Sequence, residues 1–156
     1  MSKPVFVARW NVEELAAAMR IPAESVIAFY TDGRRAAFLL ESAARSHLVA
    51  YPSASEADAY DLVDRTGRRW EVRGLTKNGV FFDPSSSHGT GRSYSEDAFL
   101  AKLKAIAGFY VADLTLFPSV PFYQISSAVV RGWFKDGKLS KARLSTVRAK
   151  ALIATL

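Results

Sequence analysis

The chain has 156 residues, 49% of them hydrophobic and 12% aromatic, and its 21 Lys and Arg against 15 Asp and Glu give a formal net charge of +6. That length suits one domain, spanning 1–156, that buries a core unaided, and this composition excludes intrinsic disorder. The absence of cysteine excludes disulfide scaffolds, zinc ribbons, cysteine nucleophiles and CxxC redox motifs.

Residues 1–50 read as a helical N-terminal part. Asn11 is a predicted N-cap, with Glu13 and Glu14 in the first turn, and Pro22 opens a second short helix around Val26 to Tyr30. Their spacing is loose for a helix-turn-helix. Thr31-Asp32-Gly33 breaks the pattern, and a helix follows from Arg34 to about Leu48. It carries Ala37, Leu40, Ala44 and Leu48 at 3–4 spacing, with Phe38 beside them. Tyr51 to Ala59 reads as a loop.

From Tyr60 the period changes. Tyr60–Asp64 reads as a strand, Arg65-Thr66-Gly67-Arg68 as a turn and Arg69–Arg73 as the return strand. Lys77-Asn78-Gly79 then turns the chain into Val80–Asp83, which predicts an antiparallel meander. Pro84 to Ser93 is a polar loop. Ser93 and Glu96 are spaced as a capping box for a helix from Glu96 to Ala107, whose apolar stripe is Phe99, Leu100, Leu103 and Ile106. Phe109–Phe117 and Pro121–Ile125 read as strands, and Ser127–Phe134 and Ser140–Ile153 as closing helices. The order predicts an α/β fold: a mixed sheet with a hairpin meander at residues 58–126, flanked by helices in three α/β/α layers, and a basic helical part at 127–156.

Charge is uneven. The last 26 residues hold seven of the basic side chains and one acidic, leaving 14 of each in residues 1–130. Such a tail suits a polyanion or a solvated helical face. There is no signal-like start and no window apolar enough to span a bilayer, so a soluble cytoplasmic protein is expected.

The first hairpin concentrates the chemistry. Glu71 and Arg73 stand at i and i+2 on one face of the return strand, while Trp70 and Val72 point to the other. A turn at Thr66-Gly67 brings Asp61 beside Glu71. Two carboxylates at a strand junction make a hard, oxygen-rich site suited to Mg²⁺. A solvated ladder of cross-strand charges is the structural alternative. No Gly-x-Ser-x-Gly elbow, His-Glu-x-x-His or nucleotide-binding fingerprint is present, so no nucleotide cofactor is expected.

The run Tyr60 to Arg73, with Asp61 before the turn and Glu71-Val72-Arg73 after it, resembles the core hairpin of PD-(D/E)xK nucleases, especially small type II restriction endonucleases. Gly33–Glu41 is similar to the helix before that hairpin, and the later helix and strands extend the likeness over about residues 33–130. The resemblance implies a restriction-endonuclease-like fold and a Mg²⁺-dependent endonuclease, with Mn²⁺ able to substitute, that hydrolyses DNA to leave 5′-phosphates. It implies double-stranded DNA as partner, a homodimer for a two-fold site, and a place in restriction-modification. Asp61, Glu71 and the backbone carbonyl of Val72 would hold the metal, and Glu41 would be an additional carboxylate; an exposed i,i+4 pair with Arg45 is its alternative. Arg73 stands where the family has Lys. Arginine stays protonated and cannot be a general base, so Arg73 orients water or stabilises phosphate charge, Lys77 takes over, or activity is lost. DNA contacts are expected from Arg65, Arg68, Arg69, Lys77, His88, Arg92, Lys138, Lys141 and Arg143. The other readings are a non-catalytic DNA-binding module on the same fold and a basic protein-interaction domain.

Overall fold

A computed structural model describes residues 3–54, 60–84 and 93–156. The chain runs β1 (Phe6–Arg9), α1 (Val12–Met19), α2 (Ala23–Tyr30), α3 (Gly33–Leu48), β2 (Tyr51–Pro52), β3 (Leu62–Val63), β4 (Arg69–Leu75), β5 (Val80–Phe81), α4 (Glu96–Ala105), β6 (Gly108–Asp113), β7 (Ser119–Ser126), α5 (Ser127–Lys135), β8 (Arg143–Leu144) and α6 (Thr146–Ile153). A six-stranded sheet has the order β1-β7-β6-β4-β3-β2, and β5 and β8 form a separate two-stranded ribbon. β4 and β6 are parallel; the remaining neighbours in the sheet are antiparallel. This is the mixed α/β sheet that the element order predicts.

Alternation along the central strands builds a core on each face. Trp70, Val72, Tyr110, Ala112 and Phe122 pack with Ala36, Leu40 and Ala44 of α3. On the other face Phe109, Val111 and Ile125 pack with Phe99 and Leu103 of α4, Trp133 of α5 and Ile153 of α6. Phe109, fully buried in the middle strand, would cost about 3–5 kcal/mol if cut to Ala. Phe38, placed beside the core by its spacing, instead lies 74% exposed beneath the Arg45 guanidinium.

Local chemistry sets the element ends. The Asn11 Oδ1 accepts from Glu13 N at 3.1 Å and Glu14 N at 3.2 Å, starting α1. Ser95, not Ser93, caps α4, accepting from Ala98 N at 3.2 Å; Ser93 is too far from the first turn to do so. The strand beginning at Gly108 stops at Asp113, short of Phe117, because the Asp113 carboxylate accepts from Thr115 N at 3.0 Å and turns the chain into a 3₁₀ turn. α6 begins at Thr146, not Ser140, since Lys141 and Ala142 have positive φ and cannot continue a helix.

The meander is the larger correction. β4 already has a neighbour on each side, β3 and β6, so no edge is left for β5, which pairs with β8 instead. Three strands lie where none is expected: β1, which pairs with β7 as a sheet edge, the short β2, and β8, which falls within the helix expected over Ser140–Ile153.

Candidate active site

The hairpin between β3 and β4 is tied at its turn by Asp64. Its carboxylate accepts from Thr66 N at 2.8 Å, Thr66 Oγ1 at 2.7 Å, Arg68 N at 3.0 Å and Trp70 Nε1 at 2.9 Å. Burial alone would raise its pKa, but the bonds from Thr66, Trp70 and the Arg68 backbone outweigh it and hold the carboxyl far below the ordinary range. Gly67 supplies the φ of 81° that closes the turn.

That turn returns the chain so that Asp61 faces the middle of β4. Asp61 N donates to Trp70 O at 2.9 Å, and Asp61 O accepts from Ser53 N at 3.1 Å. β3 begins only at Leu62, so its pairing stops before it reaches Val72. The Asp61 side chain takes over the missing rung: its Oδ2 accepts from Val72 N at 2.7 Å. In an extended strand a residue's N–H and C=O point to the same side, so the Val72 carbonyl lies on the Asp61 side of β4.

Glu71 lies between these groups on the α4 face and is 5% exposed. Burial rules out a solvated ladder of surface charge. One carboxylate oxygen pairs with Arg73 Nη2 and the other with Lys102 Nζ. Burial pushes the Glu71 pKa up, with Asp61 adding to it, while Arg73 and Lys102 oppose the shift. Burial pushes the Lys102 pKa down, aided by Arg73 and opposed by Glu71 and Asp61. The two shifts agree: the site disfavours either charge without the other. Arg73 Nη2 also donates to Asp83 O at 3.0 Å, while its buried Nε has no hydrogen-bond partner among the described residues. Glu41 of α3 approaches from the opposite face. Burial first, then the Asp61 charge, raises its pKa against the pull of Arg45 and Arg73.

Five ionisable groups thus converge where β3 begins: Glu41, Asp61, Glu71, Arg73 and Lys102. Lys102 lies outside the hairpin pattern that marks the other site residues. The signal was its position, three residues after Phe99 and four before Ile106, on the stripe of α4 that faces the core.

The remaining expected contacts lie elsewhere. Lys77 is exposed in the turn between β4 and β5. Arg68 pairs with Asp64 at 3.0 Å and lies over Trp70, and Arg69 lies over Tyr60. With Lys104 they line an open groove at the hairpin end. Arg65 is exposed on the same turn. Lys138 pairs with Asp136 at 3.0 Å, while Lys141 and Arg143 belong to the β8 ribbon. His88 and Arg92 lie outside the described residues.

Among the described residues no group of three or more His, Cys, Asp or Glu is gathered closely enough to hold a metal ion. The donors are nevertheless of the kind a hard divalent ion takes: one carboxylate oxygen of Asp61 beyond its bond to Val72 N, the Glu71 carboxylate and a main-chain carbonyl. An ion there would share Glu71 with Lys102 or displace it. Nor, among the described residues, does any helix have the length and apolar character to cross a membrane. No protein-family model matches the chain, and no curated protein or solved structure matches it either.

Proposed function

We propose that the chain is a Mg²⁺-dependent cytoplasmic endonuclease that hydrolyses DNA phosphodiester bonds, a sequence-specific restriction-type enzyme of the PD-(D/E)xK kind acting as a homodimer. The observation that carries this reading is the meeting of Asp61, Glu71 and Lys102 where β3 begins, with Glu41 and Arg73 beside them.

Asp61, Glu71 and the Val72 carbonyl would hold the ion. When bound, it supplies Lewis-acid stabilisation of phosphate charge and a more acidic water. Arg73, always protonated, adds positive charge beside Glu71 that would offset the phosphate. Lys102, held against Glu71, can donate to an attacking water and orient it. Water adds to phosphorus, the bond to the 3′ oxygen breaks, and the 5′ side keeps the phosphate. The strand lysine of the family is thereby replaced by a lysine reaching Glu71 from α4.

The second reading, a DNA-binding module without catalysis, is favoured by one observation: both oxygens of Glu71 are already ion-paired. Incubation of mixed plasmid DNA with Mg²⁺ or EDTA separates the two. Discrete fragments that disappear with EDTA, and fall by roughly 10²-fold or more in Asp61→Ala and Glu71→Gln, support the nuclease. Retarded, uncut DNA supports the module. Cleavage undiminished in both variants places the site elsewhere.

A further inference from the structure

The β5–β8 ribbon stands apart from the main sheet and has two unlike faces. Val80, Phe82, Ala142 and Leu144 are buried, whereas Arg143 is exposed and Phe81 half-exposed. The Arg143 guanidinium lies 4.9 Å from the Phe81 ring centroid, and its Nη2 donates to Asn78 O at 2.6 Å. The outer face therefore carries an arginine held by stacking and by a hydrogen bond, with further N–H groups to spare.

A tight two-residue turn closes each end of the ribbon. Thr76 and Gly79 exchange hydrogen bonds of 3.1 and 3.0 Å around Lys77-Asn78, and Ser140 and Arg143 exchange two of 3.0 Å around Lys141-Ala142. Each turn places an exposed lysine first. Gly79 is required where it stands, since a Cβ there would run into the Leu144 carbonyl. The second turn lacks that help. Lys141 and Ala142 have φ of 48° and 59°, the mark of a type I′ turn, which ordinarily takes Asn-Gly. Ala142 is explained by its burial in the core. A lysine at the exposed, strained position is not demanded by packing, and such strain persists most often where it serves function.

Residues 76–82 and 137–145 hold four basic side chains and no acidic one. Among the described residues neither Lys77, Lys141 nor Arg143 forms an ion pair with a carboxylate. The ribbon also leads into the candidate site: Phe82 N donates to Ala142 O at 2.9 Å, and the next residue, Asp83, gives its carbonyl to Arg73.

We infer that the outer face of the β5–β8 ribbon is a docking surface for the major groove of double-stranded DNA, with Lys77 and Lys141 on the flanking phosphates and Arg143 facing the base edges. The major groove is wide enough for a two-stranded ribbon, and charge complementarity assigns the phosphates to the turn lysines. This rests on the DNA partner of the proposed function but not on cleavage.

Duplex binding by the full-length chain in EDTA, where nothing is cut, tests it by fluorescence anisotropy over a salt series. Lys141→Gly places glycine at a φ that favours it, so that chain is expected to melt no lower than wild type and yet bind the duplex more weakly. The slope of log affinity against log salt should flatten by about 0.9 for each lysine removed, and the Lys77→Ala/Lys141→Gly chain should lose roughly tenfold or more. Methyl green, which occupies the major groove, should compete with the wild-type chain. A well-folded Lys141→Gly chain with an unchanged salt slope, or a chain indifferent to methyl green, overturns the ribbon. If wild type cuts DNA and the ribbon variants bind unchanged, the ribbon alone fails. If wild type binds through the ribbon but Mg²⁺ produces no cleavage, the nuclease reading alone fails.

Discussion

The Lys102 ammonium and the Glu71 carboxylate pair beneath the sheet, their side chains 4% and 6% exposed. Removing one member of a buried pair strands the other, at a cost of about 3–5 kcal/mol. Lys102→Met should fall near 3 kcal/mol, since Arg73 still faces Glu71. Glu71→Leu with Lys102→Met should recover part of that loss, because the apolar pair avoids the desolvation of both charges while Arg73 is left without its carboxylate. Urea unfolding of the two single variants and the double measures this. A double variant as unstable as the sum of the singles would show that the pair is not coupled.

Asp64 gives a different stability signature. Its pKa is held low in the fold, so the fold keeps it ionised where the unfolded chain takes up a proton. The stabilisation is therefore fully present above the ordinary Asp range and is lost as pH falls toward the lowered value. Asp64→Ala should lose roughly 3 kcal/mol at neutral pH, the scale of charged hydrogen bonds left unmade. Its melting temperature should also fall less steeply with acid than that of wild type. A parallel acid dependence in the two chains would remove Asp64 as the tie of the hairpin.

For Glu41 the sign is opposite. Its pKa is raised in the fold, first by burial and then by Asp61, so the folded chain holds its proton when the unfolded chain has lost it. Stability falls as pH climbs from the ordinary Glu range through the raised value. Glu41→Gln should match wild type in acid and exceed it increasingly as pH rises, read by thermal melts across that window. A gap that stays constant with pH would place Glu41 away from the other carboxylates.

Arg73→Lys keeps a cation beside Glu71 but loses the guanidinium whose Nη2 serves both Glu71 and the Asp83 carbonyl. A loss of about 1–2 kcal/mol in stability is expected. Cleavage should survive this change better than Lys102→Met, because Lys102 is the amine that would orient the attacking water. A greater loss of cleavage in Arg73→Lys than in Lys102→Met would return the decisive role to position 73.

The sequence was most legible where period and turn chemistry agreed. Asn11, the Thr66-Gly67 turn, and Trp70 and Val72 as core neighbours follow from local rules, and the structure places them so. Pairing was less legible. A turn at Lys77-Asn78-Gly79 says that the chain reverses, not which strand lies beside it, and β5 found its partner 63 positions later at β8. Phe38 misleads because a helix can leave a ring in solvent when a neighbouring Arg covers it. In the site, Asp61, Glu71 and Arg73 are close in sequence and could be read together. Lys102 comes from another layer of the fold, and only its place among Phe99, Leu103 and Ile106 marked it.

The shortness of β3 has a further consequence. A strand ordinarily gains by extending its ladder, yet two more residues of regular pairing here would put main chain against Val72 N in place of the Asp61 carboxylate. The Asp61 carboxylate sits on β4 where the peptide group of a longer strand would pair. A hairpin redesigned for longer, tidier pairing should therefore be more stable but should part the Asp61 carboxylate from Val72 N, and on the proposed nuclease reading it would lose cleavage.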